Sequence, residues 1–331
     1  MRRSVSARVQ RSFDGAGVRL AGDCWDPAGG GGRGTVLLLH GGGQTRHSWQ
    51  RTGERLAALG WSAVAVDARG HGDSDWSPDG DYGYRTLVGD VRAVASQLGE
   101  PPVLVGASMG GMAALIAQGQ EPGLGRALVL VDITPRVEPE GTEKIFAFMS
   151  SAPDGFASLE EASAAISAYN PHRRRPANLD GLRKNLRQRD GRWFWHWDPA
   201  FMRIREEADR ALEIQQASRG PAVAGVGAGA GSVPAHQPEP LYAAARAIRV
   251  PTLLVRGKQS DIVSEQGVAE LLELIPHAEY VDVTGAGHMV AGDDNDVFAG
   301  RLGDFLDRLP PAGAVPGVPA PEGAVTADTA G

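Results

Sequence analysis

Cysteine is nearly missing from this chain. Its single instance, Cys24, leaves no partner for an intramolecular disulfide and excludes a cysteine-built metal cage. No apolar run approaches the roughly 18–20 residues that a membrane span needs. Positive charge is not in excess: 33 Lys and Arg stand against 40 Asp and Glu, a net charge of -7, which excludes a general affinity for nucleic acid. A leader is not apparent either. Arg2 and Arg3 are followed by "SVSARVQRSFDG", charged and polar where an export signal needs roughly 7–15 apolar residues, so Met1 is expected to begin the functional chain and the cytoplasm is the expected compartment. Aromatic residues make up only 6% of the 331, so any cluster of them is a signal.

What the chain does have is rhythm. "VRLAGDCW" (18–25), "TVLLLH" (35–40), "WSAVAVD" (61–67), "PVLVG" (102–106) and "ALVLVD" (127–132) read as strands. The last four are continuously apolar, as in strands covered on both faces. Helical patterns fall between them at 48–60, 84–99 and 108–120, an alternation that predicts a mostly parallel α/β sheet with right-handed crossovers. From 135 to 248 the pattern changes to helical segments without a convincing strand; one helix is expected to start at the "SLEE" capping box of Ser158 and to stop at Asn170-Pro171. Strands return at 251–257 and 278–285, with helices from Ser264 to about Ile275 and from Asp296 to Leu309. The expected organisation is a core of 1–134 and 249–309, interrupted by a helical cap over 135–248. The Gly-rich stretch 220–240 reads as a flexible linker and 310–331, rich in Pro, Ala and Gly, as a disordered tail.

"GASMGG" (106–111) lies where a strand gives way to a helix, the context a G-x-S-x-G turn requires. Gly106 and Gly110 suit a sharp turn that leaves no room for a Cβ, and the turn puts the Ser108 hydroxyl at a helix N-terminus, where negative charge is favoured. A serine hydroxyl needs a base and a group to orient that base. His288, in "TGAGHMVAGD" after the last strand, and Asp261, in "VRGKQSDIVS" after the strand before it, supply them in the order Ser, Asp, His.

With "LLHGGGQTRHSW" (38–49), "VDARGHGDSD" (67–75), "RGKQSDIV" (256–263) and "GAGH" (285–288), these motifs resemble the α/β-hydrolase superfamily, and the insertion resembles that family's variable cap. The resemblance implies Ser108 as nucleophile, His288 as base and Asp261 as acid, with Asp132 as the alternative acid because some relatives take their carboxylate from the earlier strand. It also implies that Gly42 and Met109 supply the oxyanion-hole N–H groups, three consecutive glycines leaving the register between Gly42 and Gly43 open. His40 and His71 are expected to shape loops rather than to touch substrate.

"GRWFWHWDPAFM" (191–202) packs three tryptophans and two phenylalanines into twelve residues. Such a cluster is either core for a small cap or a roof over the pocket; in the second case Trp193, Trp195 and Trp197 would select an apolar or aromatic small molecule. The surrounding stretch 172–192 is locally basic, as a solvated face or as an anion-binding Arg. The expected activity is hydrolysis of a small carboxylic ester or related acyl compound through an acyl-enzyme, without metal or organic cofactor. A serine at 108 argues against epoxide hydrolase and haloalkane dehalogenase chemistry. Cofactor-free perhydrolases, carbon–carbon bond hydrolases and non-catalytic receptors on the same scaffold stay open, as does the oligomeric state.

Overall fold

The computed structural model describes residues 7–29, 32–169, 179–203, 239–284, 287–288 and 296–310. Its main sheet has eight strands: β1 (Val9–Asp14), β2 (Arg19–Trp25), β3 (Thr35–Leu39), β4 (Ser62–Val66), β5 (Val103–Ala107), β6 (Ala127–Val131), β9 (Thr252–Gly257) and β10 (Glu279–Val283). They lie in the order β1-β2-β4-β3-β5-β6-β9-β10. The β1–β2 and β2–β4 pairs are antiparallel and all the others parallel.

The continuously apolar strands do face two cores. Leu37, Leu39, Leu104, Leu128 and Leu130 point to one side, where α2 (Tyr84–Ser96), α3 (Ser108–Gln120), α6 (Glu239–Ala247) and α7 (Glu265–Leu274) cover them. Val36, Leu38, Val103, Val105 and Val129, one residue out of step, point to the other, against α1 (Gln50–Ala58) and α8 (Asp296–Asp307). The α8 stripe of Phe298, Leu302, Phe305 and Leu306 is buried, each side chain contributing roughly 1.5–3 kcal/mol. Ser264 caps α7 as its position suggests, accepting from the Gly267 N–H at 3.1 Å.

The sequence expectation misses β1, a mostly exposed edge strand whose polar "VQRSFD" carries no apolar run. It also misses two strands in the insertion. β7 (Leu186–Arg189) and β8 (Arg192–Trp195) form an antiparallel hairpin through Asp190-Gly191. Helices α4 (Pro139–Met149) and α5 (Leu159–Tyr169) precede this hairpin in the insertion. At α5 the Ser158 Oγ accepts from the Glu161 N–H at 3.2 Å, while Glu161 reaches back to the Ala157 N–H at 2.6 Å. The expected linker up to residue 238, the end of α5 at Asn170-Pro171 and the tail after 310 fall outside the described residues. Among the described residues no helix is long and apolar enough to cross a membrane.

Candidate active site

Parallel pairing carries Ala107 of β5 opposite Val131 of β6, so the residues that follow, Ser108 and Asp132, emerge side by side at the carboxyl edge of the sheet. Loops at that edge build sites in open α/β folds. Both residues hold a left-handed backbone, with φ of 45° at Ser108 and 50° at Asp132. For Ser108 the conformation is imposed by the turn into α3. A Cβ on Gly106 would lie 2.5 Å from the Gly110 carbonyl oxygen, and one on Gly110 would lie 2.6 Å from that of Leu39. Neither position can carry a side chain, and the turn is as tight as the motif implies.

His288 Nε2 stands 3.1 Å from Ser108 Oγ, and His288 Nδ1 stands 2.7 Å from Asp132 Oδ2. An ionised carboxylate only accepts, so Nδ1 carries the hydrogen and Nε2 is left with a lone pair toward the serine. The Asp132 carboxylate, 1% exposed, also accepts from the Gly257 N–H at 2.9 Å and from the Ser260 hydroxyl at 2.5 Å. With His288, these donors give both oxygens of a carboxylate removed from water a hydrogen-bond partner.

Asp261 is not brought to the histidine. Its half-exposed carboxylate bonds Lys144 of α4 at 3.2 Å, and the loop after β9 turns the neighbouring Ser260 inward instead. The expectation that Asp261 orients His288 is therefore corrected: the alternative, Asp132, occupies that place. The physical reason is the register, since Asp132 directly follows a strand paired with β5, whereas Asp261 lies four residues beyond the end of β9. Ser260 was not anticipated, and only its proximity to a strand end could have suggested it.

The three glycines after His40 are sorted by their N–H partners. Gly41 donates to Gln44 Oε1 at 3.0 Å and Gly43 to His71 Nε2 at 3.2 Å. Among the described residues the Gly42 and Met109 N–H groups have no acceptor, whereas Gly110 donates to the His40 carbonyl at 3.2 Å. A Cβ built on Gly41 would be 3.3 Å from Ser108 Cβ, so this loop passes directly beside the Ser108 turn. His40 donates from Nδ1 to the Gly41 carbonyl at 2.8 Å, and its Nε2 accepts from the Ala68 N–H at 2.9 Å. Burial pushes His40 down to about 4 and His71 down to about 3, and it lowers His196 as well. All three are neutral at ordinary pH.

The cap supplies an apolar wall. Met149 Sδ and the Trp197 ring lie next to Gly42 and Gly43, Trp195 stacks on Trp197 at 4.9 Å, and Phe148 and Phe156 pack around Trp195. This cluster is continuous with Met109. Trp193, two residues before Trp195, is covered by the Arg183 guanidinium at 4.9 Å. Arg187 and Arg192 of the basic stretch bond carbonyls and Asp73 rather than facing the serine. Among the described residues no group of His, Cys, Asp or Glu converges as a metal site.

A family profile described as the alpha/beta hydrolase fold matches residues 34–294. The chain belongs to that family and is a hydrolytic enzyme of it. It is similar to N-formylmaleamate deformylase of Pseudomonas putida, 31% identical over 84% of this chain and 91% of that protein. It is also similar to an esterase of Mycobacterium tuberculosis, 30% identical over 78% of each chain. Among solved structures, an alpha/beta hydrolase from Novosphingobium aromaticivorans superposes with a TM-score of 0.70 and 26% identity, covering 92% of this chain and all of that one.

Proposed function

We propose that the chain is a serine hydrolase acting on a small carboxylic ester or related acyl compound with an apolar part, and that Ser108, His288 and Asp132 carry the reaction. The relay Ser108 Oγ to His288 Nε2 at 3.1 Å and His288 Nδ1 to Asp132 Oδ2 at 2.7 Å is the observation that supports it. Oγ attacks the acyl carbon as its proton passes to Nε2, and the carbonyl oxygen takes the negative charge. Gly42 and Met109 N–H groups stabilise that oxyanion; elimination among the glycine amides favours Gly42 over Gly43. Collapse expels the alcohol with the proton from Nε2, leaving an acyl-serine. Water then gives a proton to His288 and its oxygen attacks the acyl carbon; the acid departs and Ser108 regains its hydrogen. Asp132 holds the tautomer and stabilises the imidazolium throughout.

An apolar substrate follows from the Met149 and Trp197 surfaces beside the glycine loop. Relatives named as an esterase and a deformylase are in keeping with acyl transfer to water. A reducing, cytoplasmic setting fits a lone buried thiol that burial pushes up to about 11.

The test is peptide mapping by mass after exposure to a small fluorophosphonate. Wild type labels at Ser108, Asp132→Asn labels about three to four orders of magnitude more slowly, and Asp261→Asn labels at the wild-type rate. Absence of labelling in the wild type overturns the serine-hydrolase reading. Fast labelling of Asp132→Asn with slow labelling of Asp261→Asn overturns the choice of acid.

A further inference from the structure

We propose that His196, contributed by the cap hairpin, is a positioning residue that locks the oxyanion loop, so that the hairpin is a fixed part of the site rather than a movable cover. The role presupposes the serine-hydrolase chemistry of the same site.

Three consecutive peptide groups of the glycine loop are each held by one buried imidazole. The 41–42 group, whose N–H belongs to Gly42, has its carbonyl held by His40 Nδ1 at 2.8 Å. The 42–43 group gives its N–H to His71 Nε2 at 3.2 Å, and the 43–44 group has its carbonyl held by His196 Nε2 at 3.3 Å. The rings form a column, His40 to His71 at 5.3 Å and His71 to His196 at 5.7 Å.

Each tautomer is fixed by the bonds themselves. His196 Nδ1 accepts from the Gly72 N–H at 2.7 Å, so the hydrogen must sit on Nε2, facing Gly43. His71 accepts at Nε2 and donates from Nδ1 to the Arg69 carbonyl at 3.1 Å. The clamps are needed because glycine peptides rotate with little steric penalty, and Gly43 already stands at a φ of 72°. A rotation at Gly43 would carry the preceding amides with it and turn the Gly42 N–H away from the position where charge develops.

His40 and His71 come from the core, and His196 alone comes from the insertion. Its hairpin is anchored on both sides of Gly72: Arg187 donates to the Gly72 carbonyl at 2.6 Å and to Asp73 at 2.7 Å, and the Asp198 N–H donates to the Gly70 carbonyl at 2.9 Å. Asp198 also accepts from the buried Tyr82 hydroxyl at 2.5 Å. The cap therefore grips the 70–73 loop and reaches through it to the oxyanion loop with one imidazole.

Two substitutions separate the bonds in the full chain. His196→Gln keeps an N–H donor for Gly43, and His196→Asn keeps an acceptor for Gly72 but loses that donor. The probes are p-nitrophenyl butyrate turnover, affinity for an alkyl trifluoromethyl ketone, which forms an oxyanion adduct with the serine, and fluorophosphonate labelling of Ser108. Expected for Asn is a kcat lower by about 10–100-fold with KM changed less than about threefold, and a parallel loss of ketone affinity. Gln recovers most of both. Two results overturn the clamp while leaving the hydrolase reading intact: wild-type kcat and ketone affinity in both variants, or an equal fall in both with a raised KM, which would point to packing alone. A wild type that neither turns over nor labels overturns the hydrolase reading and the clamp with it.

Discussion

Ser108 owes its place to what its neighbours lack. The nearest atoms to a Cβ on Gly106 or Gly110 are backbone, at 2.5 and 2.6 Å, and backbone cannot swing aside as a side chain can. Gly106→Ala and Gly110→Ala should each cost at least about 2 kcal/mol by denaturant unfolding, while Gly123→Ala, with nothing within 4 Å, should stay within about 0.5 kcal/mol. Equal stability for all three would refute the steric account. The Ser108 turn and His288, proposed as nucleophile and base, were legible in the sequence because strand, glycine and helix leave a spacing pattern. The carboxylate that meets His288 was not: Asp132 and Asp261 both follow apolar strands, and the difference lies in which side chain each loop turns inward. One clue was present, since a carboxylate ending the fully apolar "ALVLVD" would be buried and would need donors, as Gly257, Ser260 and His288 supply.

At the scale of elements, the hairpin β7–β8 is the part that sequence reasoning assigned to helix. Asp190 and Gly191 have φ of 49° and 76°, the paired positive values of the turn that favours Asn-Gly and Asp-Gly between twisted strands. The dipeptide was visible, but four-residue strands offer too few positions for alternation to outweigh the charge and aromatic density around them. Gly191→Ala should destabilise by about 1 kcal/mol, because open space surrounds the site and only the backbone resists; Asp190→Asn should be nearly neutral. Thermal unfolding of the two variants checks this, and an unchanged midpoint for Gly191→Ala would speak against the turn.

For the molecule as a whole, the buried histidine column ties stability to pH. His40 and His71 titrate near about 4 and about 3 when folded, against an ordinary value of 6.5, so below 6.5 the unfolded chain binds protons that the folded chain refuses. Their contribution is complete above 6.5 and is lost as pH falls toward 4, at about 1.4 kcal/mol per histidine for each unit. His196 adds in the same direction. Denaturant unfolding at pH 7, 5.5 and 4.5 should show a steep decline, lessened by His71→Gln relative to its own value at pH 7. A flat profile would mean that the column is not neutral and closed.

The sequence by itself determined the parallel part of the sheet, its two apolar faces, the Ser108 turn and the histidine that meets it, because each is encoded by period, spacing and steric need within a few neighbouring residues. The tertiary structure decided which carboxylate meets His288, the support it has from Ser260 and the contact of His196 with the glycine loop. Those depend on strand register and on contacts between residues as far apart as Gly43 and His196, and side-chain direction at such distances is set by packing that no local pattern records.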